Sequence, residues 1–211
     1  MAGLVALALS SALASPLLAV SATATLGSAV IGRRRAVLLR RAAFTDRLTG
    51  LYRYEYFADA LPREVERVRR FGSELSLVVF DLDRFKDFND RHGHAAGNQM
   101  LAGVGRAVLR QTRGADLAAR FGGEELIVLV QGGAREAYAL AERVRVSVAE
   151  IAIAVPDGLA GTTISAGIAS FPHEPDAARL LESADAALYD AKRNGRNRIV
   201  IATERAASRV A

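Results

Sequence analysis

The stretch RFGGEELIVLV, residues 120–130, places two glycines directly before two glutamates, and a continuous apolar run follows them. The segments on either side, residues 116–121 and 125–130, have the length and composition of β-strands. Glycine is favoured in the tight turns that connect hairpin strands. The stretch therefore predicts a β-hairpin whose turn carries Glu124 and Glu125.

A second apolar run, LSLVVFDLD at residues 75–83, ends in two aspartates. Because alternate residues of a strand share a face, Asp81 and Asp83 are expected on the same side of the sheet. If this strand lies beside the hairpin, Asp81 and Glu124 converge on one point, where paired carboxylates would suit Mg²⁺. A solvated acidic turn explains the same spacing, so the residues alone leave both interpretations open.

The remaining segments alternate irregularly between helical and strand patterns. The spacing of apolar residues predicts helices at 98–112, 135–152 and 176–195. Further strands are predicted at 162–171 and 196–202. One tight hairpin and an irregular order of elements favour an α/β fold of the α+β type, with a central, mostly antiparallel sheet flanked by helices.

Residues 1–32 carry no charged side chain, and a cluster of arginines follows them at once. The stretch is longer than the roughly 20 apolar residues that span a bilayer. No positive charge precedes it, as one would in a secretory signal peptide. It therefore predicts one N-terminal transmembrane helix, although a cleaved or misassigned start would explain the same composition. Because arginine-rich flanks stay in the cytoplasm, the following domain is expected there.

Composition and charge narrow the possibilities further. The chain has 211 residues and no cysteine, which excludes disulfides and cysteine-based metal sites. Its net charge of +5 comes from the arginine cluster at 33–41, so it does not indicate nucleic-acid binding. The predicted organisation is a transmembrane anchor at 1–32, a basic linker helix at 33–45, a folded domain at 46–203 and a tail at 204–211.

The segment GGEEL resembles the signature of the GGDEF family, the diguanylate cyclases. Four other segments resemble further motifs of that family and occur in the same order: DRLTGLY (46–52), FDLDRFKDFNDRHGHAAGN (80–98), TISAGIA (163–169) and ALYDAKRNGRN (187–197). The resemblance covers roughly residues 44–203. It implies a nucleotidyl-cyclase, palm-like fold and, with the predicted anchor, a single-pass protein of the bacterial inner (cytoplasmic) membrane.

The resemblance implies that two GTP molecules condense into cyclic di-GMP and two pyrophosphates at a homodimer interface. Asp81, Glu124 and the main-chain carbonyl of Leu82 would bind two Mg²⁺ or Mn²⁺ ions per active site. Glu125 would assist deprotonation of the attacking 3′-hydroxyl, or act only electrostatically or structurally. Asp81, Glu124 and Glu125 are therefore the expected catalytic residues.

The resemblance also assigns the phosphate-binding residues. Lys86, Lys192 and Arg196 would neutralise the triphosphate, although the last two would also complement a helix C-terminus without any ligand. Gly122 and Gly123 would let the phosphates lie against the main chain, since glycine permits close approach. A hairpin turn favours glycine for structural reasons as well.

The guanine-binding residues include a departure from the family's pattern. Asn89 would bond the guanine edge, unless it is a turn or capping residue. Asn98 stands where the family usually has an aspartate that accepts from the ring N–H and the exocyclic amine. An asparagine faces the ring N–H less well, a mismatch of about 1–3 kcal/mol. Guanine-only activity and a relaxed cyclase that also makes mixed cyclic dinucleotides therefore both remain open.

Residues 113–116, RGAD, have the RxxD form of the family's inhibitory site at the family's offset before the glycines. Arg113 and Asp116 would then bind cyclic di-GMP as an inhibitor. Either Arg143 or Arg145 would complete this site. A degenerate domain that only binds GTP or cyclic di-GMP is the alternative to an enzyme, but the intact acids and glycines of the signature favour the cyclase.

Overall fold

The computed structural model describes residues 44–202. The predicted transmembrane anchor at 1–32, most of the linker helix at 33–45 and the tail at 204–211 lie outside this range, so they stay predictions. Within residues 44–202, no helix is both long and apolar enough to cross a membrane.

The described chain contains eight strands and four helices in a mixed order. The strands are β1 (Tyr52–Arg53), β2 (Leu75–Leu82), β3 (Leu117–Arg120), β4 (Glu125–Val130), β5 (Ile153–Val155), β6 (Gly158–Ala160), β7 (Ile164–Phe171) and β8 (Ile199–Ile201). The helices are α1 (Tyr54–Phe71), α2 (Phe85–Gln111), α3 (Ala134–Ala149) and α4 (Ala177–Arg193).

Six of these strands form one sheet in the order β1-β3-β4-β2-β7-β8. The pairs β3–β4, β4–β2 and β2–β7 are antiparallel, whereas the outer pairs β1–β3 and β7–β8 are parallel. The prediction of a mixed, mostly antiparallel sheet is confirmed for the described residues. Strand β2 lies between β4 and β7, and because both neighbours are antiparallel to it, both begin beside its C-terminal end at Asp81.

Strand β2 reads as a continuous apolar run because both of its faces are covered. Phe80 and Leu82 pack into a core shared with α2 and α3. Leu77 and Val79 point to the other face, where they pack with residues of α1 and α4. Helices therefore flank the sheet on both sides, as predicted, and they hold the end of β2 rigidly in place.

Helix α1 has no counterpart among the predicted elements. Its buried residues Phe57, Leu61, Val65 and Val68 recur with helical spacing. Many charged residues separate them, and Pro62 sits inside the helix, where proline is normally disfavoured. These features hide the periodicity in the sequence.

Helix α2 begins at Phe85, well before the predicted start at residue 98. Its two helical segments meet at Gly93, whose φ of 81° and ψ of 157° are not helical. The glycine adopts this conformation because it has no Cβ to clash. The same break obscures the helical pattern before residue 98. The short β5–β6 hairpin was likewise absent from the predicted elements.

Candidate active site

The turn between β3 and β4 lies directly beside the end of β2. Asp81 pairs across the sheet with Glu125, the first residue of β4. The amide of Leu82 donates to the carbonyl oxygen of Glu124 at 3.5 Å. The hairpin predicted from the two glycines is therefore present, and it brings Glu124 and Glu125 next to the acidic end of β2.

The two glycines of the turn have different surroundings. A Cβ atom added to Gly122 would lie 2.6 Å from Oε2 of Glu125, whereas one added to Gly123 would meet nothing within 4 Å. A side chain at position 122 would therefore push the carboxylate of Glu125 out of its place over the turn. Gly123 instead leaves open space against the main chain, which is what a bulky ligand would require.

Arg120 holds the turn from behind, a role that the sequence did not reveal. Its guanidinium donates to the carbonyl oxygens of Gly122 at 3.1 Å and of Gly123 at 2.6 Å. It also forms an ion pair with Asp46 at 3.2 Å. Burial raises the pKa of Asp46, but hydrogen bonds from the hydroxyl and amide of Thr49 and the charge of Arg120 outweigh it, so the pKa falls below its ordinary value. The opening motif thus fixes the conformation of the signature turn.

Lys192 on α4 provides the positive charge nearest to the acids. Its Nζ lies 2.8 Å from Oδ2 of Asp81, a side chain that is almost completely buried. Burial raises the pKa of Asp81, and Lys192 acts in the opposite direction without cancelling the effect. Burial also raises the pKa of Glu125, and the negative charges of Asp81 and Glu124 add to it. The site therefore concentrates more negative charge than its lysine neutralises.

This excess of negative charge fits a divalent cation. Within residues 44–202, no group of three or more acidic, histidine or cysteine side chains could hold a metal by itself. Mg²⁺ does not require such a group, because it binds one or two carboxylates and fills its other positions with water and substrate phosphate. Asp81, Glu124 and the carbonyl oxygen of Leu82 are all hard oxygen donors, so they suit Mg²⁺ or Mn²⁺.

Asp83 does not join the acidic cluster, although it lies only two residues after Asp81. Its carboxylate accepts hydrogen bonds from the hydroxyls of Thr163 at 2.6 Å and Ser165 at 2.7 Å. It also accepts one from the amide of Asn197 at 3.0 Å. Asp83 therefore fastens the end of β2 to β7 and to the turn that follows α4.

The turn after α4 carries Arg196 in an unusual conformation. Arg196 and Asn197 have φ values of 62° and 45°, in the left-handed region that side chains disfavour. The Asp83 bond to the amide of Asn197 and a bond from the Arg196 amide to Ala191 hold this turn. Arg196 thereby lines a cavity of about 580 Å³ next to the N-terminal part of α2.

We expect the substitution Asp83→Ala to lower the free energy of unfolding by about 3 kcal/mol, because three donors lose their charged acceptor in a buried place. Urea denaturation of the full chain would measure the change. Asp157→Ala, at an exposed aspartate between β5 and β6, serves as the control and should leave stability unchanged. Equal stability of the two variants would show that Asp83 does not fasten these strands.

The other predicted substrate-binding residues lie on the N-terminal half of α2. Lys86 and Asn98 are exposed, and Asn89 is half-buried between them. Phe85 and Phe88 are buried in the core beneath this surface. The structure therefore places the three polar residues on one helix, with Asn89 and Asn98 on opposite sides of the break at Gly93.

The predicted product site forms a separate cavity of about 220 Å³. Arg113 and Asp116 line it together with Arg135 and Arg143. Arg145 points elsewhere, because its guanidinium donates to Oδ1 of Asn197 at 2.8 Å and pairs with Glu142. Of the two arginines left open by the sequence, Arg143 is the one that faces the RxxD residues.

Comparison with known families and proteins gives a consistent result. Residues 43–198 match the family model described as diguanylate cyclase, GGDEF domain. The chain is 40% identical over 162 residues to diguanylate cyclase A of Treponema denticola. The aligned region covers 74% of this chain and 44% of that protein. It is 37% identical to diguanylate cyclase DosC of Escherichia coli K12, with coverages of 73% and 34%. The chain thus matches less than half the length of these curated relatives.

Solved structures resemble the described domain closely. The GGDEF domain of DgcB from Caulobacter crescentus, in complex with c-di-GMP, has a TM-score of 0.72 at 35% identity, covering 76% of this chain and 96% of that one. The active GGEEF domain of a diguanylate cyclase from Vibrio cholerae has a TM-score of 0.67 at 31% identity, with coverages of 73% and 99%. Both likenesses extend over nearly the whole of the solved domain.

Proposed function

The chain belongs to the GGDEF family of diguanylate cyclase domains, and on that basis we propose that it condenses two GTP molecules into cyclic di-GMP. The observation that carries the proposal is the buried Asp81, paired with Lys192 and placed opposite the Gly-Gly-Glu-Glu turn. A degenerate domain would be expected to have lost an acid or a glycine of this turn. Here the acids, the glycines and the lysine are all retained.

Each protomer would hold one GTP, and two protomers would face each other as a homodimer. The 3′-hydroxyl of each GTP attacks the α-phosphate of the other, so that a new P–O bond forms as the bond to pyrophosphate breaks. Two such steps give one cyclic di-GMP and two pyrophosphates. Because one domain supplies only half of this arrangement, the rate should depend on dimer formation.

The residues of this chain supply binding, orientation and proton transfer. Lys192, Arg196 and Lys86 neutralise the triphosphate, and the open space at Gly123 admits a phosphate against the main chain. Glu125 is suited to take the hydroxyl proton, because a carboxyl group with a raised pKa is a better base near neutral pH. Asp81, Glu124 and the carbonyl oxygen of Leu82 would hold two Mg²⁺ or Mn²⁺ ions, which stabilise phosphate charge and acidify the hydroxyl.

Product inhibition belongs to the same proposal. The cavity lined by Arg113, Asp116, Arg135 and Arg143 is rich in guanidinium groups, which pair with phosphate and stack on guanine. Asp116 also accepts hydrogen bonds from the amides of Arg113 and Gln131, at 2.7 and 3.2 Å. These bonds hold its carboxylate at the rim of the cavity. Cyclic di-GMP is the ligand proposed for it.

Membrane attachment through residues 1–32 and a cytoplasmic position of the domain remain part of the proposal. They rest on the uncharged N-terminal segment and the arginines after it. A receptor for GTP or cyclic di-GMP is the alternative function. It is disfavoured because the acids and glycines of the signature are all retained, whereas a domain that only binds would be free to lose them.

The proposal is tested by incubating the full chain with Mg²⁺ and GTP and identifying the products by mass. Cyclic di-GMP and pyrophosphate are expected, and formation should slow as product accumulates while GTP remains. Binding of GTP without any cyclic dinucleotide, at protein concentrations where the chain is dimeric, would support the receptor instead.

The substitution Asn98→Asp tests the relaxed-specificity alternative. We expect it to lower the KM for GTP about tenfold, because an added acceptor for the guanine N–H groups is worth about 1–3 kcal/mol. The measurement is product analysis with mixtures of GTP and ATP. Only guanine-containing product from the unsubstituted chain would exclude the relaxed cyclase, whereas a mixed dinucleotide that disappears in Asn98→Asp would establish it.

A further inference from the structure

The two segments of helix α2 touch at one point, where Asn89 meets Gly97. The break at Gly93 folds the first segment against the second. A Cβ atom built on Gly97 would lie 1.8 Å from Oδ1 of Asn89 and 2.9 Å from its Cγ. It would also lie 3.2 Å from Cζ of Phe85. The side-chain amide of Asn89 therefore occupies the space that any residue other than glycine would fill.

The buried end of this amide is its oxygen. Oδ1 of Asn89 is inaccessible to solvent and accepts no hydrogen bond from any residue of the described range 44–202. A buried acceptor without a partner is costly and calls for an explanation. A weak Cα–H···O contact with Gly97 favours the oxygen at this position.

This orientation determines what Asn89 offers to a ligand. With its oxygen placed against Gly97, the amide leaves its NH₂ group as the end that can face a ligand. An NH₂ group can only donate. Guanine carries an acceptor, O6, where adenine carries an amino donor. A fixed donor at Asn89 would therefore accept guanine and reject adenine.

We propose that Gly97 is a positioning residue for nucleotide selectivity, which fixes the Asn89 amide as a donor to O6 of guanine. The inference rests on the proposed cyclase function, because it names how the same site selects its substrate. A donor fixed at Asn89 would favour guanine over adenine independently of the residue at position 98.

The first test is Gly97→Ala in the full chain, with steady-state kinetics for GTP and product analysis with GTP and ATP. The added methyl group displaces the Asn89 amide, so the KM for GTP rises and the preference for GTP over ATP falls, each about 10- to 100-fold. The kcat should change less than about threefold, because Gly97 lies outside the acidic cluster. Gly103→Ala on the same helix is the matched control, since its Cβ would contact only side-chain atoms, the nearest being Ile151 at 3.3 Å.

Two further variants separate positioning from a general effect on the fold. Asn89→Asp keeps the shape of the side chain but removes the NH₂ donor, so it should lose the preference for GTP over ATP. In an Asn89→Ala background the amide is gone, and Gly97→Ala should then change the KM by less than about twofold, since coupled residues are not additive. In this double variant the collision with the amide is gone, and the close contact that remains is with Cζ of Phe85 at 3.2 Å, which a shift of a few tenths of an ångström relieves.

The outcomes distinguish the inference from the proposed function. Absence of any dinucleotide from the unsubstituted chain would end the proposed function, and binding of a non-reacting GTP analogue, measured by calorimetry, would still report on Asn89 and Gly97. The inference is overturned if Gly97→Ala matches Gly103→Ala, if its effect persists in full beside Asn89→Ala, or if Asn89→Asp keeps the guanine preference.

Discussion

Replacing Glu124 with glutamine is expected to lower cyclic di-GMP formation at least about 100-fold, the size of effect seen when one electrostatic contribution is removed from a preorganised site. The glutamate follows the two glycines, and its carbonyl oxygen is held by the amide of Leu82. Glutamine keeps the size and the backbone contact but removes the charge that a divalent cation requires. Folding should therefore be preserved while turnover is lost.

The measurement is the initial rate of product formation at saturating Mg²⁺ and GTP, with circular dichroism to confirm folding. Glu150→Gln, at an exposed residue after α3, is the matched control and should retain full activity. The Glu124→Gln variant also distinguishes a cyclase from a receptor in cells. An enzyme loses its cellular effect with Glu124→Gln, whereas a receptor keeps it. Turnover within a few fold of the unsubstituted chain would remove Glu124 from the metal site.

The features that could be predicted from sequence are those set by local patterns. Two glycines between two apolar runs predict the hairpin, because tight turns need little more than a few residues. The continuous apolar character of residues 75–82 indicates a strand buried on both faces. Together these patterns bring Asp81 beside Glu124 and Glu125, as the structure has it.

The features that could not be predicted depend on contacts between distant parts of the chain. Arg120 reaches Asp46 across 74 positions, and Asp83 reaches Asn197 across 114. Neither pair leaves a local signal, since each residue alone resembles an ordinary polar or charged surface residue. The contact between Asn89 and Gly97 likewise exists only because α2 breaks at Gly93.

The same distinction explains why Asp81 and Asp83 have different roles. Strand alternation puts two such residues on one face, which suggested a common site. In the structure, Asp83 lies beyond the end of β2 and is fully engaged with Thr163, Ser165 and Asn197. Of the two aspartates, Asp81 is the one that pairs with Lys192. Hydrogen-bond partners, not spacing, determine which acid is available for chemistry.

Replacing Lys192 with methionine is expected to lower kcat/KM for GTP about 100-fold at neutral pH, the size of effect seen when one charged or hydrogen-bonding group is removed from a preorganised site. The variant would lose both the proposed triphosphate contact and the charge that opposes the effect of burial on the pKa of Asp81. Burial already raises the pKa of Asp81, and Lys192 lowers it. Without the lysine the pKa of Asp81 rises further.

The Lys192→Met substitution should also change the pH dependence of kcat/KM. The proposed mechanism requires the ionised form of Asp81, which is lost as pH falls through its pKa. A higher pKa therefore moves the acidic limb of the kcat/KM profile to higher pH in Lys192→Met. Lys86→Met is the matched control, since Lys86 is the other lysine of the chain and is exposed on α2. It should weaken GTP binding and leave the acidic limb in place. If both variants leave that limb unmoved, the group that titrates is not Asp81, and Glu125, whose pKa burial also raises, becomes the candidate.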